Sequence, residues 1–371
     1  MIRLSKSSIS ELEKKAVLQV LDQEHLGMGA EVQKYEEKLT EFFGRPTVAV
    51  ATGTVALQLA LQAAGIGRGD EVLVQSLTYV ASFQAISATG AIPVACDVEV
   101  ETVTIDLKDA ERRLTGATKA IMPVHYAGGV GDLSAVYEFA ETHNLRVIED
   151  AAHAFGTVYN EGRVGGFGDV SCFSFDGIKN ITSGEGGCVT SDDADLLERV
   201  RDFRLLGVER DSDNRFKGKR SWDFDVRHQG WRSHMSNIMA AIGVVQLSRF
   251  QDLASRRQNL ASRYVTKLKG YPKLSLLRSD YSVEVPHIFP VILENNQDRD
   301  RLRASLLSRG IETGIHYKPA HHLSFYLQSG DSIELPVTEN ICGRLLTLPL
   351  HPDLTFEDVE FVVKNIKEFL G

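Results

Sequence analysis

Cysteine is scarce in this chain. The four present, Cys96, Cys172, Cys188 and Cys342, are scattered and form no Cys-x-x-Cys pair, so neither a disulfide framework nor a paired-cysteine metal site is expected. They read as reduced thiols of a cytoplasmic protein. Long apolar runs are missing as well. None approaches the roughly 18 residues that cross a bilayer, which predicts no membrane span. The opening Met1-Ile2-Arg3-Leu4-Ser5-Lys6 lacks the apolar stretch of a signal peptide. Positive charge is not in excess. With 41 Lys and Arg against 50 Asp and Glu, the net charge of -9 argues against a broad nucleic-acid surface. No Gly-x-Gly-x-x-Gly follows an apolar run, so the dinucleotide fingerprint is absent. Gly218-Lys219-Arg220 lacks the rest of a P-loop. His321-His322 has no partner at a spacing that argues for zinc, and no metal site is expected.

What is present is an ordinary soluble composition, 43% hydrophobic and 25% charged, over 371 residues. That length suits two domains with sizeable cores. Residues 11–25 read as a polar helix. From residue 47 strands and helices alternate. Thr47-Val48-Ala49-Val50-Ala51 suits a buried parallel strand, and Leu57, Ala60, Leu61 and Ala64 then share one helix face that Gly65 ends. Further strands are expected at 71–75, 92–96, 120–124, 146–148, 170–175 and 187–190, with helices over 79–89 and 193–206. This alternation predicts an α/β domain with a mostly parallel sheet. Residues 208–230 are loop-like and carry Arg215, Lys217, Lys219 and Arg220. A helical stretch over 236–270 leads to a smaller unit with a strand near 285–292 and helices near 297–309 and 356–369. Residues 1–245 are expected to form the large domain and 246–371 a small α+β domain.

The chemistry gathers around Lys179. It follows the apolar run Val170-Ser171-Cys172-Phe173-Ser174-Phe175 and precedes Gly184-Glu185-Gly186-Gly187. Asp150 closes the run Val147-Ile148-Glu149-Asp150, and Ala151-Ala152-His153 follows. A lysine that can form an imine and a carboxylate that can pair with a protonated ring nitrogen are what pyridoxal phosphate requires of a protein. In an open α/β sheet, ligands bind beyond the carboxyl ends of strands, where Asp150 is expected. Alone, an acidic pair is more often a loop start or helix cap, and a lone lysine is a surface residue. The combination reverses both readings. Ala51-Thr52-Gly53-Thr54 is a strand-to-helix turn whose free N–H groups suit a phosphate, with Gly53 allowing close approach and Thr54 adding a hydroxyl. Ser174 offers another hydroxyl. Tyr79 either stacks on a ligand ring or sits in the core, and His153 either bonds a ring oxygen or is a satisfied core histidine.

Taken together, these residues resemble the DegT/DnrJ/EryC1/StrS family of sugar aminotransferases. The likeness runs from Leu26-Gly27-Met28-Gly29 through the Thr54 turn, Ile148-Glu149-Asp150-Ala151-Ala152 and the Lys179 segment. It continues to Gly314-Ile315-His316-Tyr317-Lys318-Pro319 and Leu348-Pro349-Leu350-His351-Pro352. The resemblance implies the type I, aspartate aminotransferase-like fold and a pyridoxal 5'-phosphate cofactor that passes through the pyridoxamine form. It implies amino transfer from L-glutamate, giving 2-oxoglutarate, to a nucleotide-linked keto-deoxysugar for surface polysaccharide, such as lipopolysaccharide. A cytoplasmic homodimer with shared active sites follows too. Lys179 matches the imine lysine and Asp150 the ring-nitrogen partner. Thr54 and Ser174 match phosphate contacts, and Tyr79 the stacking aromatic. Gly27, His316 and Tyr317 fall at expected substrate contacts.

Two positions depart from the family pattern. His153 stands where many relatives have glutamine. Gly230-Trp231-Arg232-Ser233-His234-Met235 replaces Gly-x-Asn-x-Arg-Met, so Arg232 takes the place of an asparagine that reaches the partner subunit's phosphate. An arginine there could make a charge-assisted contact or point elsewhere. Related dehydratases carry histidine in place of the lysine, so Lys179 favours transamination. Ser183-Gly184-Glu185-Gly186-Gly187 is closer to members that aminate carbon 4 than to those that aminate carbon 3. A 4-keto-6-deoxyhexose is therefore the expected acceptor. A 3-keto sugar, or a non-catalytic regulatory homologue of the same fold, are the alternatives. The basic loop from Arg215 to Arg220 reads either as a solvated loop or as a contact for the nucleotide pyrophosphate.

Overall fold

The computed structural model describes residues 1–160, 162–220, 222–327 and 333–371. Strand residues alternate between two apolar clusters, one on each face of a sheet. β1 (Thr47–Val50) sends Val48 and Val50 to one cluster and Ala49 to the other. β2 (Glu71–Gln75) divides Val72 and Val74 from Leu73 in the same way. Helices Gly53–Ala63, Val80–Ala88 and Ala194–Phe203 cover the first face. Helices Ala30–Phe43 and Leu133–His143 cover the second.

The sheet is completed by β3 (Ile92–Cys96), β4 (Thr118–Met122), β5 (Arg146–Asp150), β8 (Val170–Ser174) and β9 (Gly187–Ser191). A small hairpin, β6 (Val158–Tyr159) and β7 (Gly162–Arg163), lies apart from it. The order is β1-β9-β8-β5-β4-β2-β3. The β3-β2, β2-β4, β4-β5 and β5-β8 pairs are parallel, while β9 runs antiparallel to both β8 and β1. β1 is buried and runs in the same direction as the parallel strands, but the neighbour it pairs with, β9, is reversed. An apolar run reports burial on both faces and says nothing about the direction of the neighbouring strand.

A second sheet, β10 (Leu274–Leu276), β11 (Phe289–Leu293) and β12 (Leu345–Leu348), is antiparallel. It packs with helices Asn296–Ser308 and Phe356–Leu370. The expected helical stretch over 236–270 is two helices, Asn237–Ser248 and Phe250–Leu268, meeting at Arg249. Residue 245 lies inside the first. The second helix spans both cores. Phe250, Leu253 and Ala254 belong to the large-sheet cluster, and Leu260, Tyr264 and Leu268 to the small-sheet one.

A buried ion pair holds the edge strand β1 in place. Arg204 is fully buried, pairs with Glu36 and donates to the Ala49 carbonyl at 2.6 Å. Glu36 in turn accepts from the Ala49 N–H at 2.8 Å, so β1 is held on both backbone groups of one residue. Residues 208–230 contain a short helix, Asp211–Phe216, in which Arg215 pairs with Asp211 at 2.6 Å, while Lys217, Lys219 and Arg220 are exposed. Among the described residues no helix is long and apolar enough to cross a membrane.

Candidate active site

Parallel strands place all their carboxyl ends along one edge of the sheet, and the cleft lies there. β1 leads into Thr52, Gly53 and Thr54, and β2 into Thr78 and Tyr79. β5 ends at Asp150 and leads to His153, while β8 ends at Ser174 and leads to Lys179. The C-terminal part of the chain closes the far side with His287, His316 and Tyr317. Lys179, Gly53, Thr54, Tyr79, Asp150, His153, Ser174, His316 and Tyr317 thus meet in one cleft. Gly27 and Arg232 are exposed and lie outside its walls.

Lys179 is held by a tight turn. Its N–H donates to the Asp176 carbonyl at 3.1 Å, and the Ile178 N–H donates to the Asp176 carboxylate at 3.2 Å. The next residue, Asn180, is buried and donates to the carbonyls of Phe155 and Val285 at 3.2 and 3.1 Å. Burial lowers the Lys179 amine to about 8, against the opposing pull of the Asp150 and Asp176 carboxylates. A fraction of the amine is therefore neutral near pH 7, which a nucleophile requires.

Asp150 is nearly buried. One carboxylate oxygen accepts from the Ser82 hydroxyl at 2.7 Å and the other from the Ala152 N–H at 3.2 Å. Ser82 is fully buried, and its oxygen lies 3.0 Å from the Thr78 hydroxyl. Behind this pair Glu149 is also fully buried. It meets His125 Nε2 at 2.6 Å and accepts from the Tyr137 hydroxyl at 2.6 Å and the Ser171 hydroxyl at 3.0 Å. The two carboxylates face opposite sides of the sheet, as successive strand residues must. Glu149 is thus structural, while Asp150 opens to the cleft.

Three histidines wall the cleft. The Ala127 N–H donates to His153 Nδ1 at 3.3 Å, which leaves the ring hydrogen on Nε2, 3.1 Å from the Tyr317 hydroxyl. Burial holds His153 and His287 well below the ordinary histidine range, and the Lys179 charge adds to this. His316 falls to about 4 for the same two reasons. All three rings are neutral at pH 7, so His153 presents an N–H donor there as a glutamine amide would. His316 Nδ1 lies 2.8 Å from the Thr347 hydroxyl, and the His316 carbonyl accepts from the Tyr126 hydroxyl. Tyr79 is 58% exposed, with its ring 5.6 Å from that of Tyr317.

At the end of β1, the Thr52 side chain caps helix Gly53–Ala63 by accepting from the Val55 N–H at 3.2 Å. The first N–H groups of that helix have no intrahelical acceptor. A Cβ added at Gly53 would stand 2.6 Å from the Ser174 Cβ. The need for glycine here is thus the approach of β8, which brings the Ser174 hydroxyl beside the helix end.

Reading the sequence missed five contributors. His287 sits 4.4 Å from His153, ring to ring. Ser82 lies three residues beyond Tyr79, on the same helix turn. Glu185 and Asp176 also line the cleft. Arg257, mid-helix and 2% exposed, gave no local signal. It donates to the carbonyls of His287 at 3.0 Å, Leu350 at 3.3 Å, Ile178 at 3.3 Å and Lys179 at 3.4 Å. One guanidinium therefore fixes the lysine turn and the histidine wall together. Arg257→Met keeps the stem but leaves buried carbonyls without a donor. It is expected to cost about 3 kcal/mol of stability, read as a lower thermal midpoint and slower recovery of bound cofactor. An unchanged midpoint would refute the clamp.

The residues present fit pyridoxal phosphate. A partly neutral lysine, a carboxylate held by two donors, an open aromatic face and a helix end beside two hydroxyls share one cleft. Comparison with known proteins agrees. Residues 7–367 match the DegT/DnrJ/EryC1/StrS aminotransferase family. The chain is 34% identical over 370 residues to the spore coat polysaccharide biosynthesis protein SpsC of Bacillus subtilis, covering 98% of this chain and 95% of SpsC. The aminotransferase TlmJ of Streptoalloteichus hindustanus superposes with a TM-score of 0.91 at 32% identity, covering 100% of this chain and 99% of TlmJ. Spr1654 of Streptococcus pneumoniae, in its PLP form, gives 0.92 at 28% identity, covering 99% and 98%. The large sheet with its smaller companion is the type I fold of pyridoxal phosphate enzymes. The chain belongs to the DegT/DnrJ/EryC1/StrS aminotransferase family and is a pyridoxal phosphate-dependent transaminase.

Proposed function

We propose that this transaminase moves an amino group from L-glutamate to a nucleotide-linked 4-keto-6-deoxyhexose, in the cytoplasm, for surface polysaccharide assembly. The observation that carries the catalytic part is the meeting of Lys179 and Asp150 in one cleft walled by His316 and Tyr317. When bound, pyridoxal phosphate supplies a ring that withdraws electrons from the carbon bearing the nitrogen. Asp150, oriented by Ser82, holds the proton on the ring nitrogen. Lys179 would hold the cofactor, and its amine, once freed, would serve as the group that carries a proton. The Thr54 and Ser174 hydroxyls and the N-terminus of helix Gly53–Ala63 bind the phosphate, and Tyr79 stacks on the ring. His153 donates from Nε2 to the ring oxygen, in place of the glutamine of many relatives. His316 and Tyr317 contact the sugar nucleotide, while Gly27, outside its own cleft, faces the partner's. Arg232, exposed and outside its own cleft, serves the partner's phosphate in a homodimer. The role of SpsC in spore coat polysaccharide biosynthesis supports a sugar destined for a polymer.

Borohydride should fix the cofactor onto Lys179, located by peptide mapping. Lys179→Ala should lose that adduct and about 10³-fold or more in kcat. An adduct on another lysine would refute the assignment.

The pH dependence follows from the depressed amine. Below about 8 Lys179 is protonated and unreactive; above it the neutral amine dominates. Covalent uptake of cofactor by the cofactor-free protein should rise through pH about 8. A rise centred near 10.4, the value of an ordinary lysine, would contradict the buried site.

The acceptor is tested by assaying 4-keto and 3-keto nucleotide sugars side by side with glutamate as donor. Preference for the 3-keto sugar would replace the 4-keto reading. Activity with neither, in protein that has taken up cofactor, would reject the sugar class.

A further inference from the structure

Folding supplies what the local spacing around His321 and His322 lacks. Both lie in the one-turn helix Ala320–His322, and helix Pro336–Cys342 brings Glu339 against them. One possible ligand atom from each of the three lies within 4.8 Å of the other two. His321 Nε2 stands 3.7 Å from the Glu339 carboxylate. That is too long for a hydrogen bond. It is close to the separation of about 3.4 Å between two ligands held 2.0–2.2 Å from one tetrahedral zinc.

His321 is only 7% exposed, and its Nε2 is buried with no hydrogen-bond partner. Such a group is costly unless something occupies it. Its other ring nitrogen, Nδ1, lies 2.5 Å from the Ser76 oxygen, which also accepts from the His321 N–H at 3.2 Å. With the ring hydrogen on Nδ1 and donated to Ser76, the Nε2 lone pair faces Glu339. An outer bond of this kind orients metal-bound histidines. The His322 ring is 4.0 Å from that of His321. Glu339 accepts the Leu335 N–H at 3.3 Å and keeps further lone pairs free. It is exposed, which leaves room for a water as fourth ligand.

We propose that His321, His322 and Glu339 form a zinc-type site of three protein ligands and a water. The ion would tie helix Pro336–Cys342 to the turn that follows His316 and Tyr317. That turn already grips the end of β2, where the Ala320 N–H donates to the Ser76 carbonyl at 2.8 Å. The site would therefore brace, from behind, both segments that bring aromatic rings to the cleft.

The test uses cofactor-loaded protein, stripped of metal and titrated with Zn²⁺ against a chromophoric chelator. One zinc per chain is expected. His322→Ala and Glu339→Gln should each weaken binding by about 10-fold or more while keeping the wild-type cofactor absorbance. At the same concentration, zinc should raise the thermal midpoint of the wild type more than that of either variant. Mg²⁺ should not compete, since this donor set suits zinc better. Absence of stoichiometric binding, or equal binding by both variants, overturns the site and identifies His321 and Glu339 as a plain polar pair.

Discussion

A parallel sheet must bring its chain back through a helix after each strand. All its carboxyl ends therefore lie along one edge, and every helix that leaves that edge starts there. The cleft follows from this constraint. β1, β2, β5 and β8 each end with the residues that line it, although those residues span positions 52 to 179. The single reversed strand, β9, does not disturb the arrangement, because its starting residue Gly187 lies at the same edge beside Ser174.

A charged site on a buried edge needs support for every polar group, and most of that support is backbone. Arg257 holds the Lys179 turn through carbonyls. Arg204 and Glu36 hold Ala49, just before the Thr52 turn. Glu149 is satisfied on the far face, so its neighbour Asp150 can be the carboxylate that opens to the cleft. The same burial that fixes these groups keeps His153, His287 and His316 neutral and lowers the Lys179 amine. Positioning and reactivity thus have one physical origin, the exclusion of water from the sheet edge.

Much of this was legible residue by residue. The strand runs from 47 to 190 were readable because most of these strands are buried on both faces and so are rich in apolar residues. Lys179 and Asp150 were readable because each follows such a run. Helix Ala30–Phe43 was overlooked although Val32, Tyr35, Leu39 and Phe43 keep helical spacing. The antiparallel pairing of β1, the break at Arg249 and the roles of Arg257 and His287 were not legible. Each depends on which distant segment lies alongside, and no periodicity carries that information.

The sequence alone determined the alternating architecture, the lysine and carboxylate at strand ends, and the glycine and threonine of a strand-to-helix turn. These are local properties: burial period, turn chemistry and residue type. Only the tertiary structure decided that His153 carries its hydrogen on Nε2, that Gly53 yields to Ser174, and that Gly27 and Arg232 stay outside the cleft. It alone brought Glu339 to His321 and His322. Hydrogen-bond partners and close approaches arise between residues far apart in the chain, so they exist only once the chain has folded.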